Sequence, residues 1–405
     1  MKPALNIITP LPPKKSGIAN YALKVSSALT SNYDVTFVID QDDYDIGDAD
    51  LEVIQLSDFV QDAARTQNLS LLHMGNNPDH RHVYRASEYV SGLIVQHDLV
   101  LHHFVEAVTL AEGKFDEYSR ILELEYGEAG RSLAAGRQAG LFDDSAKFLF
   151  PAVAHFVRRG RGAIVHSEWA ANRLRPIMAQ NLFHIPHFVE DDILARSANE
   201  MRSSPVGQEI YKRLGIPEDR FVVGSLGFAT DPKCIRELMI AISRVRGQMP
   251  NLHLVIGGEM HISNLGPDLQ SLIDDGLVTV TGYLNRTDLE YLCARLDLLF
   301  NMRFPIAGES SGILSMAMGF GTPCAVFEFG PMAEVEANEA IKMPFFGTGE
   351  VLVESLEKVL HRVRGLPPEK LLEIGRNGKR RVMMRNSISV VAEGYSAAIK
   401  TILSN

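Results

Sequence analysis

Apolar residues fall into short continuous runs separated by amphipathic stretches, and this alternation occurs twice along the chain. The runs predict strands at residues 4–9, 34–39, 69–74, 92–95 and 163–165, then at 221–226, 252–256, 278–281, 297–301 and 324–327. Apolar strands that alternate with helices are typical of parallel sheets covered on both faces. The pattern therefore predicts an α/β chain of two Rossmann-like, doubly wound domains. Such halves place a ligand in a central cleft between the carboxyl ends of both sheets.

The same pattern predicts the domain boundaries. Residues 1–190 form the first domain, and a helical insertion at 104–160 interrupts its rhythm. Residues 189–220 begin polar and acidic and contain two prolines, so they are a candidate linker. Residues 191–385 form the second domain, and 386–405 form a C-terminal helix that we expect to pack back on the first.

Composition narrows the class of protein. The chain has 405 residues, 46% of them hydrophobic, and a net charge of −10, which argues against a nucleic-acid-binding protein. Three widely spaced cysteines predict reduced, buried side chains in a cytoplasmic protein. No apolar run approaches the roughly 20 residues that span a bilayer. Peripheral contact with the inner face of a membrane and homo-oligomerisation are left open.

The segment 303–323 carries the most specific chemistry. A predicted strand leads into a loop with Glu309, Ser310, Ser311 and Gly312, and a helix of small residues follows. Backbone N–H groups at a helix start bind anions, and small residues let a diphosphate approach closely. A carboxylate beside such a site can accept hydrogen bonds from two sugar hydroxyls. The alternative is a plain helix start with serine and acidic caps.

Other candidates follow predicted strands. Gly17 ends the loop after the first strand and would let a ligand approach the backbone, although most such loops are only turns. Lys233 is predicted at a helix start, where the dipole disfavours an ammonium unless a phosphate is bound. Arg303 is a second cation, and a solvated lysine is the alternative for Lys233.

His97 follows the strand at 92–95 and should face the cleft, where Asp98 could fix its tautomer. Nearby histidines at 80, 82, 102 and 103 leave a metal site open, but a closed site needs three or four converging ligands. The alternative for His102 and His103 is packing within the next helix. The chain has neither GxxxxGK[ST] nor GxGxxG, which disfavours an NTPase or a dehydrogenase.

Taken in order, these pieces resemble the retaining glycosyltransferases of family 4, which have the GT-B fold. The resemblance rests on Pro12-Pro-Lys-Lys-Ser-Gly-Ile-Ala-Asn-Tyr21, on Gly75-Asn-Asn-Pro78 with His97-Asp98, and on residues 303–323. The second motif is similar to a subgroup common in bacterial polysaccharide clusters. The resemblance implies a metal-independent hexosyltransferase (EC 2.4). Such an enzyme moves a sugar from a nucleotide diphosphate to a hydroxyl acceptor in cell-surface glycan or glycolipid synthesis.

The resemblance also implies residue roles. The first domain would take the glycan or lipid-linked acceptor and the second the nucleotide sugar, with no separate cofactor. Catalytic roles would fall to His97 and Glu309. Donor binding would fall to the loops and the helix start, through Gly17, Lys233, Arg303, Ser310, Ser311, Gly312 and Ile313.

Two departures from the family pattern matter. The second glutamate of its paired-acid motif, which would hold the ribose, is replaced by Met316 or Ala317, and the arginine expected before Lys233 is Phe228. They keep two alternatives open, a weakly active partner subunit in a glycan-assembly complex and a sugar-nucleotide epimerase. The donor base, UDP or GDP, is also open. The acidic pair Asp48 and Asp50 lies in a predicted loop and not at a strand end, which favours metal independence.

Overall fold

A computed structural model of the chain describes residues 2–14, 16–47, 51–262 and 265–404, so Asp48 and Asp50 lie outside the described residues. The chain forms two compact units. The first comprises Met1–Pro186, Ala307–Ser310 and Ile388–Asn405, and the second comprises His187–Ile306 and Ser311–Ser387. The boundaries between units are thus crossed four times.

A parallel sheet forms the centre of the first unit. Within the described residues it has seven strands, in the order β3-β2-β1-β4-β5-β6-β7. Their bounds are β1 Ala4–Ile8, β2 Asp34–Ile39, β3 Glu52–Gln55, β4 Leu69–Met74, β5 Leu93–Gln96, β6 Gly162–Val165 and β7 Leu182–His184. The central strands are apolar because helices cover both faces, and β4 is buried along its whole length. The sequence order changes direction at β1, as in a doubly wound sheet.

Helices connect these strands. They are α1 Gly17–Leu29, α2 Leu56–Phe59, α3 Ala63–Gln67, α4 Arg81–Ala86, α5 His102–Val108, α6 Phe115–Tyr126, α7 Glu128–Gln138, α8 Ala146–Leu149, α9 Ala154–Val157 and α10 Glu168–Leu174. Five of the described helices, α5 to α9, lie between β5 and β6, so the predicted helical insertion is confirmed. A buried pair links α6 to α9, since Glu125 accepts from the His155 ring at 2.8 Å.

The second unit is also built on a parallel sheet. Its described strands number six, in the order β10-β9-β8-β11-β12-β13. They are β8 Phe221–Leu226, β9 Leu252–Gly257, β10 Val278–Val280, β11 Leu298–Asn301, β12 Cys324–Phe327 and β13 Ile341–Met343. The helices are α11 Asp191–Ala195, α12 Ala198–Ser203, α13 Pro205–Arg213, α14 Ile235–Val245, α15 Pro267–Asp274, α16 Arg286–Arg295, α17 Gly312–Phe320, α18 Glu350–Gly365 and α19 Pro368–Arg385. The prediction of two Rossmann-like α/β domains is confirmed.

The linker predicted at 189–220 is wrong. Three helices, α11 to α13, occupy most of it, and they bury Ile193, Met201 and Ile210 in the core of the second unit. Serine caps explain two of these helices, because Ser197 and Ser204 each accept a hydrogen bond from the first turn that follows. The polar composition of this segment therefore reflects capped, half-exposed helices and not an unstructured linker.

The last helix, α20 Ile388–Ser404, belongs to the first unit. It packs on α1, where the Tyr21 and Tyr395 hydroxyls lie 3.1 Å apart. Cys234, Cys293 and Cys324 are free and buried, as predicted. In the described parts of the chain, no helix combines the length and apolar character required to cross a bilayer.

Candidate functional site

Histidines at the carboxyl ends of neighbouring strands form one cluster in the first unit. His73 lies in β4, His97 follows β5 and His166 follows β6. His73 Nδ1 lies 3.1 Å from His97 Nε2, and the His97 and His166 rings are 4.7 Å apart. Tyr21 of α1 packs its ring 5.0 Å from both His97 and His166. We call Tyr21, His73, His97 and His166 the histidine cluster.

The segment Ala307–Ser310 brings Glu309 to the edge of the sheet that holds the histidine cluster. Leu99 N and Val100 N donate to the Ala307 carbonyl at 2.6 and 3.0 Å, and Ser310 Oγ donates to the His166 carbonyl at 3.1 Å. Gly308 has φ +89°, and a Cβ there would lie 2.7 Å from Leu99 Cβ, so only glycine fits. One carboxylate oxygen of Glu309 is buried. The structure therefore brings His97, Glu309 and Ser310 into one region.

Asp98 also contacts the loop that follows β4, and its expected role toward His97 stays a prediction. Its carboxylate accepts from Asn76 N at 2.8 Å and so fastens the loop after β4. His102 and His103 both lie in α5, where His102 contacts the Phe150 carbonyl and the Tyr118 hydroxyl, so packing within the insertion explains His102.

Gly17 is the first residue of α1, after Ser16, which accepts from Ile18 N at 3.2 Å. A Cβ at Gly17 would meet nothing within 4 Å, so the space beside it is open. Gly75 is more tightly constrained, because a Cβ there would lie 2.2 Å from Ile18 Cδ1 and 2.9 Å from His80 Cε1. A side chain at position 75 would therefore force the Ile18 and His80 side chains to move.

Two cations meet in the second unit. Lys233 follows β8 and Arg303 follows the neighbouring β11. Lys233 Nζ donates to the Leu226 carbonyl, and burial, followed by the nearby Arg303 charge, lowers the pKa of Lys233 to about 7. Gly227, with φ +85°, leaves room for the ammonium, since a Cβ would lie 2.8 Å from Nζ. A bound anion would offset both the cost of burying the Lys233 ammonium and its repulsion from Arg303.

Helix α17 begins beside these cations. Ser311 caps it, accepting from Leu314 N at 3.1 Å and donating to Asn301 Oδ1 at 2.8 Å. Ile313 Cγ1 would lie 3.7 Å from a Cβ at Gly227, which places the first turn next to the Lys233 loop. Gly312 is the first residue of the helix, and a Cβ there would lie 3.0 Å from Cε1 of the His187 ring. We call Lys233, Arg303 and Ser311–Ile313 the cation cluster; Ser310 is not part of it, because it belongs to the first unit.

The residues at the two departures from the family pattern also lie in the second unit. Met316 and Ala317 are buried in the apolar core of the second unit. Phe228 is 40% exposed and lies 5.8 Å from the His261 ring. Among the described residues, no three His, Cys, Asp or Glu side chains are grouped to hold a metal ion.

Our reasoning from sequence missed His73, His166 and Tyr21. His166 had a usable signal, because it directly follows a predicted strand, as His97 does. His73 had none, because it lies within a strand and not after one.

No protein-family model and no curated protein gives a significant match to the sequence. Solved structures match along the whole chain. HepE of Anabaena, in complex with UDP and glucose, matches with a TM-score of 0.65 at 14% identity, over 98% of this chain and 100% of that one. Sucrose-phosphate synthase from Thermosynechococcus elongatus gives 0.67 at 14% identity, over 99% of each chain. A glycosyltransferase from Rickettsia africae gives 0.66 at 11% identity, over the full length of both. At this identity the likeness shows the fold alone, and it confirms the predicted GT-B class.

Proposed function

We propose that the chain is a retaining, metal-independent glycosyltransferase that moves a sugar from a nucleoside diphosphate to a hydroxyl acceptor. The observation that carries the proposal is the cation cluster, in which Lys233 and Arg303 lie beside the start of α17. It is supported by the GT-B fold and by the UDP bound to HepE. The motif resemblance supports a cell-surface glycan or glycolipid as the product.

We assign the diphosphate to the cation cluster. The first backbone N–H groups of a helix have no partner within the helix, and with the dipole they attract phosphate oxygens. Gly312 and Ile313 supply such groups, while the Ser311 hydroxyl is already used as the cap. Lys233 and Arg303 then stabilise the charge that develops on the leaving diphosphate.

We assign the sugar to Glu309 and His97, and Glu309 lies two residues before Ser311 in the chain. In a retaining transfer the acceptor oxygen bonds to the sugar carbon on the face from which the diphosphate leaves. The carbon–oxygen bond to the diphosphate breaks, and the departing diphosphate takes the acceptor proton. Glu309 would accept hydrogen bonds from sugar hydroxyls, and His97 would hold a hydroxyl near the reacting carbon.

Calorimetric titration with UDP and with GDP tests the first assignment and separates the two bases. Lys233→Ala and Arg303→Ala should each weaken binding by about 1.5–3 kcal/mol, the range for hydrogen bonds to charged groups, which is about 10- to 150-fold in Kd. Lys379→Ala is the matched control, because its ammonium donates to the Arg196 carbonyl and its Cδ lies near Gly321, at the other end of α17. Wild-type affinity in both site variants would remove the diphosphate from this cluster.

The buried Met316 and Ala317 keep the weakly active partner subunit as a second candidate, because they replace the expected ribose-binding acid. Incubation with a panel of UDP- and GDP-sugars separates the candidates. Release of the nucleoside diphosphate favours the transferase. Interconversion of sugars without release favours an epimerase, and tight partner binding without turnover favours the partner subunit.

A further inference from the structure

His73 makes a contact that the proposed reaction does not by itself require. Its side chain is fully buried in β4, its ring stacks on His97 at 5.4 Å, and its Nδ1 faces His97 Nε2 at 3.1 Å. Its other nitrogen, Nε2, is also buried, and none of the described residues offers it a hydrogen bond. One side of His73 is therefore fixed to His97, and the other is enclosed.

The surroundings keep His73 neutral. Burial, then the nearby His166 and His80, lower the pKa of His73 to about 3. The polar and titratable groups at this edge come from several elements: Tyr21 from α1, His80 from the loop after β4, Asp98 after β5, His166 after β6, Glu309 from the 307–310 segment and Tyr395 from α20. A neutral imidazole has one N–H and one lone pair, so His73 can serve His97 in only two ways.

The two ways differ in cost. If His97 Nε2 donates, the proton of His73 must sit on its Nε2, which leaves a buried N–H without an acceptor among the described residues. If His73 Nδ1 donates, its Nε2 keeps only a lone pair. Buried N–H groups without a partner are the rarer case in native proteins, which favours the second arrangement. His97 Nε2 is then the acceptor, and the His97 proton lies on Nδ1.

We propose that His73 is a positioning residue that holds His97 neutral and in its Nδ1–H form, so that His97 presents Nδ1–H as a hydrogen-bond donor. A protonated His97 would direct an Nε2–H at the Nδ1–H of His73, and this clash opposes its protonation. The catalytic part of the inference rests on the proposed function, in which the acceptor of this bond is a donor-sugar hydroxyl. The tautomer itself does not depend on it.

Long-range ¹H–¹⁵N correlation spectra of histidine-labelled protein, without any substrate, test the proposal. In the wild type we expect His97 with Nδ1 protonated and Nε2 bare across about pH 6–8, the range in which an ordinary histidine titrates. In His73→Leu the His97 tautomer should change and its pKa should rise. In His73→Asn the side-chain amide can still donate, and the wild-type pattern should return.

His253→Leu is the matched control, because His253 is also a buried strand histidine but lies in β9 of the second unit. It should leave the His97 signals unchanged. A wild-type spectrum with His97 Nε2 protonated would overturn the proposal. This measurement does not depend on whether any variant folds. Unchanged His97 signals in a folded His73→Leu protein would overturn it as well.

Turnover supplies the catalytic readout. His73→Leu should lower kcat by about 10- to 10²-fold with little change in the KM of the donor, the scale on which partners that orient a histidine act, and His73→Asn should restore most of it. Loss of kcat with a wild-type His97 tautomer would contradict the positioning role. If no transfer is found with any donor, the proposed function fails, but the spectra still decide the tautomer.

Discussion

Lys233 shows how burial can bring the titration of a lysine close to neutral pH. Its folded pKa, about 7, lies well below the value near 10.4 of an unfolded lysine. The unfolded chain therefore binds more protons between these values, and stability rises with pH across that window. The cost of burying the ammonium is fully present below about pH 7. A bound diphosphate reverses the preference, because it favours the charged form.

Diphosphate binding should therefore take up a proton near pH 8. Titrations in buffers of different ionisation enthalpy measure that uptake, and the affinity should fall by at most about tenfold per pH unit above pH 7. In Lys233→Met the uptake should largely disappear. Equal uptake by both proteins would place the titrating group elsewhere.

Glu309→Gln should reduce turnover of a sugar donor far more than it weakens binding of the free nucleoside diphosphate. The reason is that Glu309 sits with the first unit, whereas the cation cluster belongs to the second. Comparing kcat with the calorimetric Kd of UDP or GDP separates the two effects. Equal losses would mean that the acid supports the loop.

His97→Ala should lower the rate by about 10²- to 10³-fold, the scale of losing one preorganised hydrogen-bond donor, while the fold is retained. Single-turnover kinetics measure the chemical step directly, and a circular dichroism spectrum checks the fold. Near-normal transfer, or a glycosyl adduct trapped on His97, would rule out the assigned role.

At the residue scale, the sequence was enough to select part of the candidate site. Position after a strand was enough to select His97, Lys233 and Arg303, because the carboxyl ends of parallel strands meet at one edge. The same logic does not reach His73, which lies within a strand, because its role depends on a ring from the neighbouring strand. Such a pair exists only once the register β4–β5 is formed.

Among the elements, α17 begins at a serine cap that also lies in the proposed diphosphate site. Ser311→Ala removes the hydrogen bond to Leu314 N and should lower the free energy of unfolding by about 1 kcal/mol, as for other N-caps. Ser204→Ala is the matched control, since Ser204 caps α13 through Gly207 N. Chemical denaturation should show a similar loss in both. Diphosphate binding should weaken in Ser311→Ala alone, and equal affinities would separate the cap from the binding site.

Element prediction failed where apolar signals are short. The strands β3, β7 and β13 have three or four residues each, and β3 and β7 are half-exposed, so they show neither a continuous apolar run nor a clean alternation. The central strands were found because burial on both faces demands apolar runs. The helices α11 to α13 were missed because their caps and acids outweigh their few buried residues.

For the whole molecule, the proposed chemistry predicts activity in excess EDTA. Lys233, Arg303 and the start of α17 would carry out the charge stabilisation that a divalent cation supplies in metal-dependent transferases. Rates before and after chelation, with and without added Mg²⁺ or Mn²⁺, measure this. Abolition by EDTA and rescue by either ion would contradict the proposed mechanism.

The two-domain α/β class followed from the sequence because each half repeats the same strand–helix alternation. The path of the chain between the units did not, because four residues, Ala307–Ser310, belong to the first unit although they lie deep within the second part of the sequence. Nothing in their composition marks them. Their assignment depends on backbone contacts such as those of Leu99 and Val100 with Ala307.

The assignment of Ala307–Ser310 to the first unit determines how related chains could be recombined. A hybrid that exchanged residues 187–387 as one block would import a foreign 307–310 segment. It would then have to match Leu99, Val100 and the His166 carbonyl of the host. Junctions after residues 186, 306, 310 and 387 would instead keep the segment and α20 with their own first unit. Four junctions thus divide the chain into five segments. The segments of one unit should be exchanged together, although they are far apart in the sequence.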